Sequence, residues 1–261
     1  MEYFLSMNYN FSMTVKEYAD YLSSVLDISS FDDYSMNGIQ IGGDDRDINK
    51  VAFAVDATLE TITKASEAAA DMLVVHHGLF WGEPIAITGN HYKRVRKALD
   101  SSLFLFAAHL PLDAHSSLGN NAQMALRLGM KEWDPFGYCK GKLIGIKGSL
   151  PFPMTIEEVS LLLGFDSSAF SLQGAKKKSE TVGIISGGGS SDVHDAIKKG
   201  LDLYITGEFL HQDYPDALES GISVLAGGHY RSEVFGVRAL QRMTEKELSL
   251  DTVFIDAESG L

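Results

Sequence analysis

Short runs of Val, Ile, Leu and Phe alternate along this chain with longer amphipathic stretches. That alternation restricts the fold to an α/β sheet covered on both faces by helices. Residues 51–55, 72–75, 103–107, 182–185, 203–206 and 222–225 read as buried strands. Residues 59–70, 91–100, 120–128, 155–163, 192–199 and 232–244 read as helices. Another helix begins near Thr14, where Thr14 and Glu17 form a capping-box pair ahead of Tyr18, Tyr21, Leu22 and Val25. Residues before Met13 read as a poorly ordered extension.

The alternation also repeats. Residues 51–71 and 182–202 share one plan without a gap: strand, turn, helix, then an aspartate before the next strand. Val51/Val182, Ala65/Ala196 and Asp71/Asp202 are identical. Ala98-Leu99-Asp100-Ser101 and Ala217-Leu218-Glu219-Ser220 then precede strands that lead into His109-x-x-x-Asp113 and His229-x-x-x-Glu233. Two halves with the same order of elements point to duplication. The stretch 129–148, with Pro135, Gly137, Gly141 and Gly145, reads as the crossing between them.

Charge and cysteine content narrow the partners. The formal charge is −13, from 35 acidic against 22 basic side chains. Such a surface repels phosphate backbones and anionic lipid, so nucleic-acid or membrane binding would need a local basic patch. The short runs Lys93-Arg94 with Arg96-Lys97, and Lys176-Lys177-Lys178, read as a solvated helix face and a loop. One cysteine, Cys139, excludes a disulfide framework or a thiolate metal site within the chain. The N-terminus lacks a basic start with a sustained apolar run, so no signal peptide is expected, and a cytoplasmic location fits.

Chemistry-bearing residues gather at strand ends, where open α/β sheets collect ligands. Met72-Leu73-Val74-Val75 runs into His76-His77-Gly78. This is either a hydrogen-bonded pair or, where Gly78 breaks the strand, two rings turned to one cleft. His109-Leu110-Pro111-Leu112-Asp113 follows another strand; Pro111 reads as excluding helix, and Asp113 either caps a turn or faces a ligand. Gly227-Gly228-His229-x-x-x-Glu233 opens a helix near Tyr230, placing His229 and Glu233 on one face. Alternatively, Glu233 merely favours the helix N-terminus. Three imidazoles and two carboxylates suit Zn²⁺, Mn²⁺ or Fe²⁺. Five ligands exceed the need of one catalytic zinc but match two metals with a bridging carboxylate. Thr206-Gly207-Glu208 also ends a strand, and Glu208 aligns with His77, making it a candidate for proton transfer or for supporting a ligand. The glycines at 187–189 read as a tight turn with Ser191 or Asp192 capping the next helix.

Asn37-Gly38-Ile39-Gln40, His76-His77-Gly78-Leu79-Phe80-Trp81, His109-Leu110-Pro111-Leu112-Asp113-Ala114-His115, Gly119-Asn120-Asn121-Ala122-Gln123, Thr206-Gly207-Glu208 and Gly227-Gly228-His229-x-x-x-Glu233 occur in that order. With them the chain resembles, from about Asn37 onward, the short bacterial form of the Nif-three-like dinuclear-metal family, catalogued as GTP cyclohydrolase 1 type 2 homologue. The resemblance implies two intertwined, pseudo-twofold-related α/β lobes, each a three-layer α/β/α arrangement, with the metal site in the cleft between them. It implies two divalent ions held by His76, His77, Asp113, His229 and Glu233, with His109 beside them, and a ring-shaped homo-hexamer. On this plan residues 1–132 form the first lobe and 133–231 the second, with the helix and strand of 232–261 packing back on the first. The expected activity is metal-dependent hydrolysis of a nucleotide-like or phosphoester small molecule, with His109 and Glu208 as proton-transfer candidates. The competing expectation is a non-catalytic metal-binding or regulatory ring scaffold. Ordinary histidine titration would make metal affinity weaken below roughly pH 6.

Overall fold

The repeated strand-and-helix pattern becomes two twisted sheets in the computed structural model, which describes residues 13–42 and 44–261. The expectation for residues before Met13 lies outside the described residues. The first half runs α1 (Val15–Val25), β1 (Gly38–Ile41), β2 (Lys50–Asp56), α2 (Leu59–Glu67), β3 (Met72–His77), α3 (Gly89–Asp100) and β4 (Phe104–Ala107). Helices α4 (Leu110–Ala114) and α5 (Asn120–Arg127) follow, then a hairpin of β5 (Trp133–Cys139) and β6 (Lys142–Met154). The second half runs α6 (Ile156–Leu163), β7 (Phe170–Leu172), β8 (Ser179–Ile185), α7 (Val193–Lys198), β9 (Leu203–Thr206), α8 (Tyr214–Ser220) and β10 (Ser223–Ala226). Helix α9 (His229–Met243) and β11 (Asp251–Phe254) close the chain.

Sheet order shows the same plan in both halves. The first sheet is β1-β4-β3-β2-β11 and the second contains β7-β10-β9-β8 followed by β6 and β5. In both, a run of parallel strands (β4-β3-β2-β11 in the first, β10-β9-β8 in the second) carries an antiparallel edge strand, β1 on β4 and β7 on β10. Four of the six apolar runs lie within these parallel strands, and those of 103–107 and 222–225 begin one residue before β4 and β10. Small devices repeat too. Thr14 and Glu17 make a reciprocal cap on α1, and Thr155 and Glu158 make the same cap on α6. Asp71 accepts the amides of Asn49 and Lys50, while Asp202 accepts those of Glu180 and Thr181, which explains that identity in the sequence.

Packing interlocks the halves. Tyr230, Val237, Leu240 and Met243 of α9, from the second half, join Val51, Phe53, Met72 and Phe106 of the first sheet in one core. Met124, Ala125 and Leu128, from α5 and its end, join Val182, Ile184, Leu203 and Ile205 of the second sheet. Each half therefore covers the other's sheet with its closing helix, and each sheet has helices on both faces. Full burial of a side chain such as Phe53 or Met72 stabilises this arrangement by about 1.5–3 kcal/mol.

Three expectations are corrected or refined. The segment 129–148, read as the crossing between the halves, forms most of a β-hairpin of the second sheet: Lys140 and Gly141, both at positive φ, make the two-residue turn that suits twisted strands. Pro111 lies inside α4, in the first turn, where a helix leaves its amides unpaired and proline costs nothing. Asp192 is the N-cap residue of α7, as expected, but its side chain makes no capping bond. Ser190 instead donates to Asp213 and accepts the Leu210 amide.

Candidate metal centre

Strand β3 is apolar and buried through Val75, then delivers His76 and His77 to its carboxyl end. Adjacent residues on a strand point apart, yet where β3 ends the two rings lie 4.6 Å apart, tilted by 47°. Each ring is held from behind. His76 Nδ1 donates to the Ala108 carbonyl at 2.9 Å, and His77 Nδ1 donates to Asp56 at 2.8 Å, its register partner on β2. These bonds fix the tautomer and aim both Nε2 atoms inward.

Helices supply the remaining groups. Asp113 on α4 is buried; its Oδ1 accepts from Asn120 Nδ2 and from Ser186 Oγ, both at 2.8 Å. Its Oδ2 is left 3.6 Å from His76 Nε2. On α9, His229 Nδ1 donates to Glu208 at 2.6 Å, and its Nε2 lies 3.3 Å from Glu233 Oε1, one turn along the same face. Glu233 is the hub: Oε1 lies 3.4 Å from His76 Nε2 and Oε2 lies 3.2 Å from His77 Nε2. Its carboxylate thus belongs to two ligand-like clusters, His76–Asp113–Glu233 and His77–His229–Glu233.

The donor set fits divalent cations. His76 Nε2 and Glu233 Oε2 are buried without a hydrogen-bond partner, a costly state unless something is bound between them. Two ligands on one tetrahedral ion at ordinary bond lengths stand about 3.3 Å apart, close to the spacings found here. Protonation tells the same story. Burial opposes charge on His76, but the Asp113 and Glu233 carboxylates outweigh it and lift the imidazole to about 10. The hydrogen bond to Glu233, against opposing burial and with help from Glu208, lifts His229 to about 9. Burial would raise Glu233, yet His76, His77 and His229 hold it well below the usual carboxylate range. Protons thus balance the buried carboxylates where cations would otherwise do so.

All five ligand candidates from the sequence converge here, and the other two candidates take distinct places. His109 precedes α4, its ring 5.1 Å from that of His76, with Nδ1 donating to Asp33 at 2.8 Å. It forms a third cluster with His76 and His77. Glu208 sits behind His229 as Asp56 sits behind His77. Sequence reasoning missed Asp33, Asp56, Asn120 and Ser186. Asp33 accepts from His109, Asn37, Leu110 and Ser35, and although burial opposes this, its carboxyl falls to about 2. Asn37 and Asn120 lay inside the quoted motifs, but a single aspartate in a loop carries no pattern of its own.

Strand register also revises the proposed repeat. Met72 faces Phe104 as Leu203 faces Ser223, so His109 corresponds to Gly228, the residue just before α9, and not to His229. The two His-x-x-x-carboxylate motifs are displaced by one residue. By the same register, His76 and His77 correspond to Gly207 and Glu208, and Asp56 corresponds to Gly187. Gly187 has φ +63°, and a Cβ there would collide with the Glu233 carboxylate. The glycine turn therefore admits Glu233 to the centre.

Comparison with known proteins places this geometry among relatives. The model of the Duf34/NIF3 (NGG1p interacting factor 3) family matches residues 13–260. A Deinococcus radiodurans protein named GTP cyclohydrolase 1 type 2 homolog is 41% identical, over 94% of this chain and 94% of its own. A Pyrococcus abyssi protein of the same name is 40% identical over 95% of this chain and 100% of its own. Among solved structures, a Thermus thermophilus protein superposes with a TM-score of 0.86 at 37% identity, over 95% of this chain and 100% of its own. A protein described as of unknown function gives the same TM-score at 32% identity with the same coverage.

Proposed function

The chain belongs to the Duf34/NIF3 family, and on that premise we propose that it holds two divalent cations and acts as a metal-dependent hydrolase on a nucleotide-like or phosphoester substrate. The observation that carries this reading is the inward convergence of three Nε2 atoms on the buried carboxylates of Glu233 and Asp113. His76, Asp113 and Glu233 would hold one ion; His77, His229 and Glu233 would hold the other. The nitrogen and oxygen donors suit zinc, manganese or iron. Bound cations would supply Lewis acidity and make water a nucleophile near neutral pH.

The chain's own groups do the rest. Asp56, Glu208 and the Ala108 carbonyl engage Nδ1 of His77, His229 and His76, so each Nε2 points inward and is the atom that would hold a cation once its proton is displaced. His109, fixed by Asp33 on Nδ1, has Nε2 available beside the centre to take or return a proton. A cavity of about 640 Å³ opens onto His77, Glu208 and His229, room for a small-molecule substrate. We further propose a cytoplasmic, ring-shaped homo-hexamer, on the resemblance set out above. No helix among the described residues is long and apolar enough to cross a membrane. Light scattering should then give six times the 28.5 kDa chain mass. Activity is tested by screening cation-loaded protein against nucleotides and phosphoesters beside Asp113→Ala. Turnover lost in the variant supports hydrolysis; no turnover on any substrate favours a regulatory scaffold.

A further inference from the structure

The chain has seven arginines, and four of them (Arg127, Arg231, Arg238 and Arg242) line one cavity of about 630 Å³ beside α5 and α9. In a chain of formal charge −13, this concentration opposes the overall field. Two of the four are already committed. Arg231 pairs with Asp166 and Glu258, and Arg238 lies 3.7 Å over the Phe254 ring and 3.7 Å from Asp256. The other two have only neutral acceptors. Arg127 donates to the Leu162 carbonyl at 2.6 Å, and Arg242 donates to the Gln123 side chain at 2.9 Å. Among the described residues neither has a carboxylate in salt-bridge range. Gln123 is one turn before Arg127 on α5, so the side chain that holds Arg242 and Arg127 itself lie on one helix face and line the same cavity.

We propose that this cavity binds an organic phosphate of about nucleotide size. Arg127 and Arg242 take the phosphate, because a planar guanidinium fork matches its oxygens and keeps its charge at any working pH. Phe165 and Phe235 wall the same cavity and take the apolar or aromatic body. The volume falls in the range of small-molecule sites. Tyr230 and Glu258 line both this cavity and the one facing the candidate metal centre, so the two adjoin without sharing His77 or His229. The site therefore stands independently of the hydrolase reading.

Calorimetric titration of the full chain with AMP, with and without a chelator, tests it. AMP should bind in both conditions, and Arg127→Gln with Arg242→Gln should weaken binding at least about tenfold, through lost charge-assisted hydrogen bonds. Arg242→Lys should retain part of the affinity, which separates lost recognition from lost folding. Glu233→Gln and the remote Arg96→Gln should leave binding unchanged. Equal affinity in the double variant overturns the proposal. So does AMP binding that vanishes with Glu233→Gln or with chelation, which would place the phosphate at the metal centre. Absence of AMP binding to wild type, with a smaller assembly in the double variant, also overturns it and makes the cavity a contact between copies.

Discussion

The two sheets are built alike and used differently. At the ends of β2 and β3 the first lobe places Asp56, His76 and His77; at the matching ends of β8 and β9 the second places Gly187, Gly207 and Glu208. The first lobe presents His76 and His77 from β3 and Asp113 from α4, while the second clears space at its strands and presents His229 and Glu233 from α9. Since α9 packs on the first sheet, both contributions meet over that lobe. The two sheets thus share one frame, and the ligand candidates lie where the two differ.

Breaking the divergence should have the largest effect. Gly187→Ala forces a side chain into positive φ and into the Glu233 carboxylate. It should cost about 1–3 kcal/mol of stability and abolish cation binding, read by denaturant unfolding and elemental analysis. Asp56→Gly, which makes the first lobe resemble the second, should leave the fold intact and weaken only the His77 side of the centre. If both variants bind cations like wild type, the comparison is empty.

Acidity should act almost as strongly, and from a higher pH than histidine's ordinary titration would suggest. In the cation-free protein His76 and His229, at about 10 and about 9, are both protonated at neutral pH, so cations must displace both protons. Below about pH 9, affinity should fall by up to ~100-fold per unit. Stability of the cation-free protein runs the other way. A raised histidine pKa contributes stability that is full below about 6.5 and lost as pH rises through the folded values. The depressed Glu233 contributes stability that is present above its ordinary value and lost as pH falls through the folded one. Chelated protein should therefore lose stability between about pH 6.5 and 10, while cation affinity rises over the same interval. Parallel slopes in the two titrations would contradict the shifted histidines.

A smaller effect sharpens the likeness of Asp56 and Glu208, each behind one histidine. Asp56→Asn and Glu208→Gln should each lower cation affinity about 10–100-fold without unfolding the chain. A change in only one of them would show that the two supports are not equivalent. The smallest effect belongs to the shared frame: Thr14→Ala and Thr155→Ala should each cost about 1 kcal/mol, because both remove the same capping box. Unequal losses in urea unfolding would weaken the account of the repeat.

Much of this frame is legible in the sequence because it is local. The apolar runs become β2, β3, β4, β8, β9 and β10, and Thr14 caps α1 as its spacing predicts. The five ligand candidates are legible because they follow strands in compact motifs. What stays hidden depends on contacts between distant residues. Asp33 reaches His109 across 76 positions, and Ser186 reaches Asp113 across 73. Glycines around 141, which read as the crossing between the halves, belong to a hairpin whose second strand pairs with β8. The matching His-x-x-x-carboxylate motifs even misled by one residue, since only strand pairing fixes which positions correspond.

The proposed sharing of Glu233 by two cations is tested most directly by cation stoichiometry measured on wild type, His77→Ala and Glu233→Gln. Elemental analysis after gentle purification should find about two ions per chain in wild type, since two ligand clusters share one carboxylate. His77→Ala should keep the ion of His76 and Asp113 and lose the other, whereas Glu233→Gln should lose both. A Glu233→Gln protein that retains either ion as tightly as wild type would contradict the shared carboxylate, and with it the asymmetric centre described above.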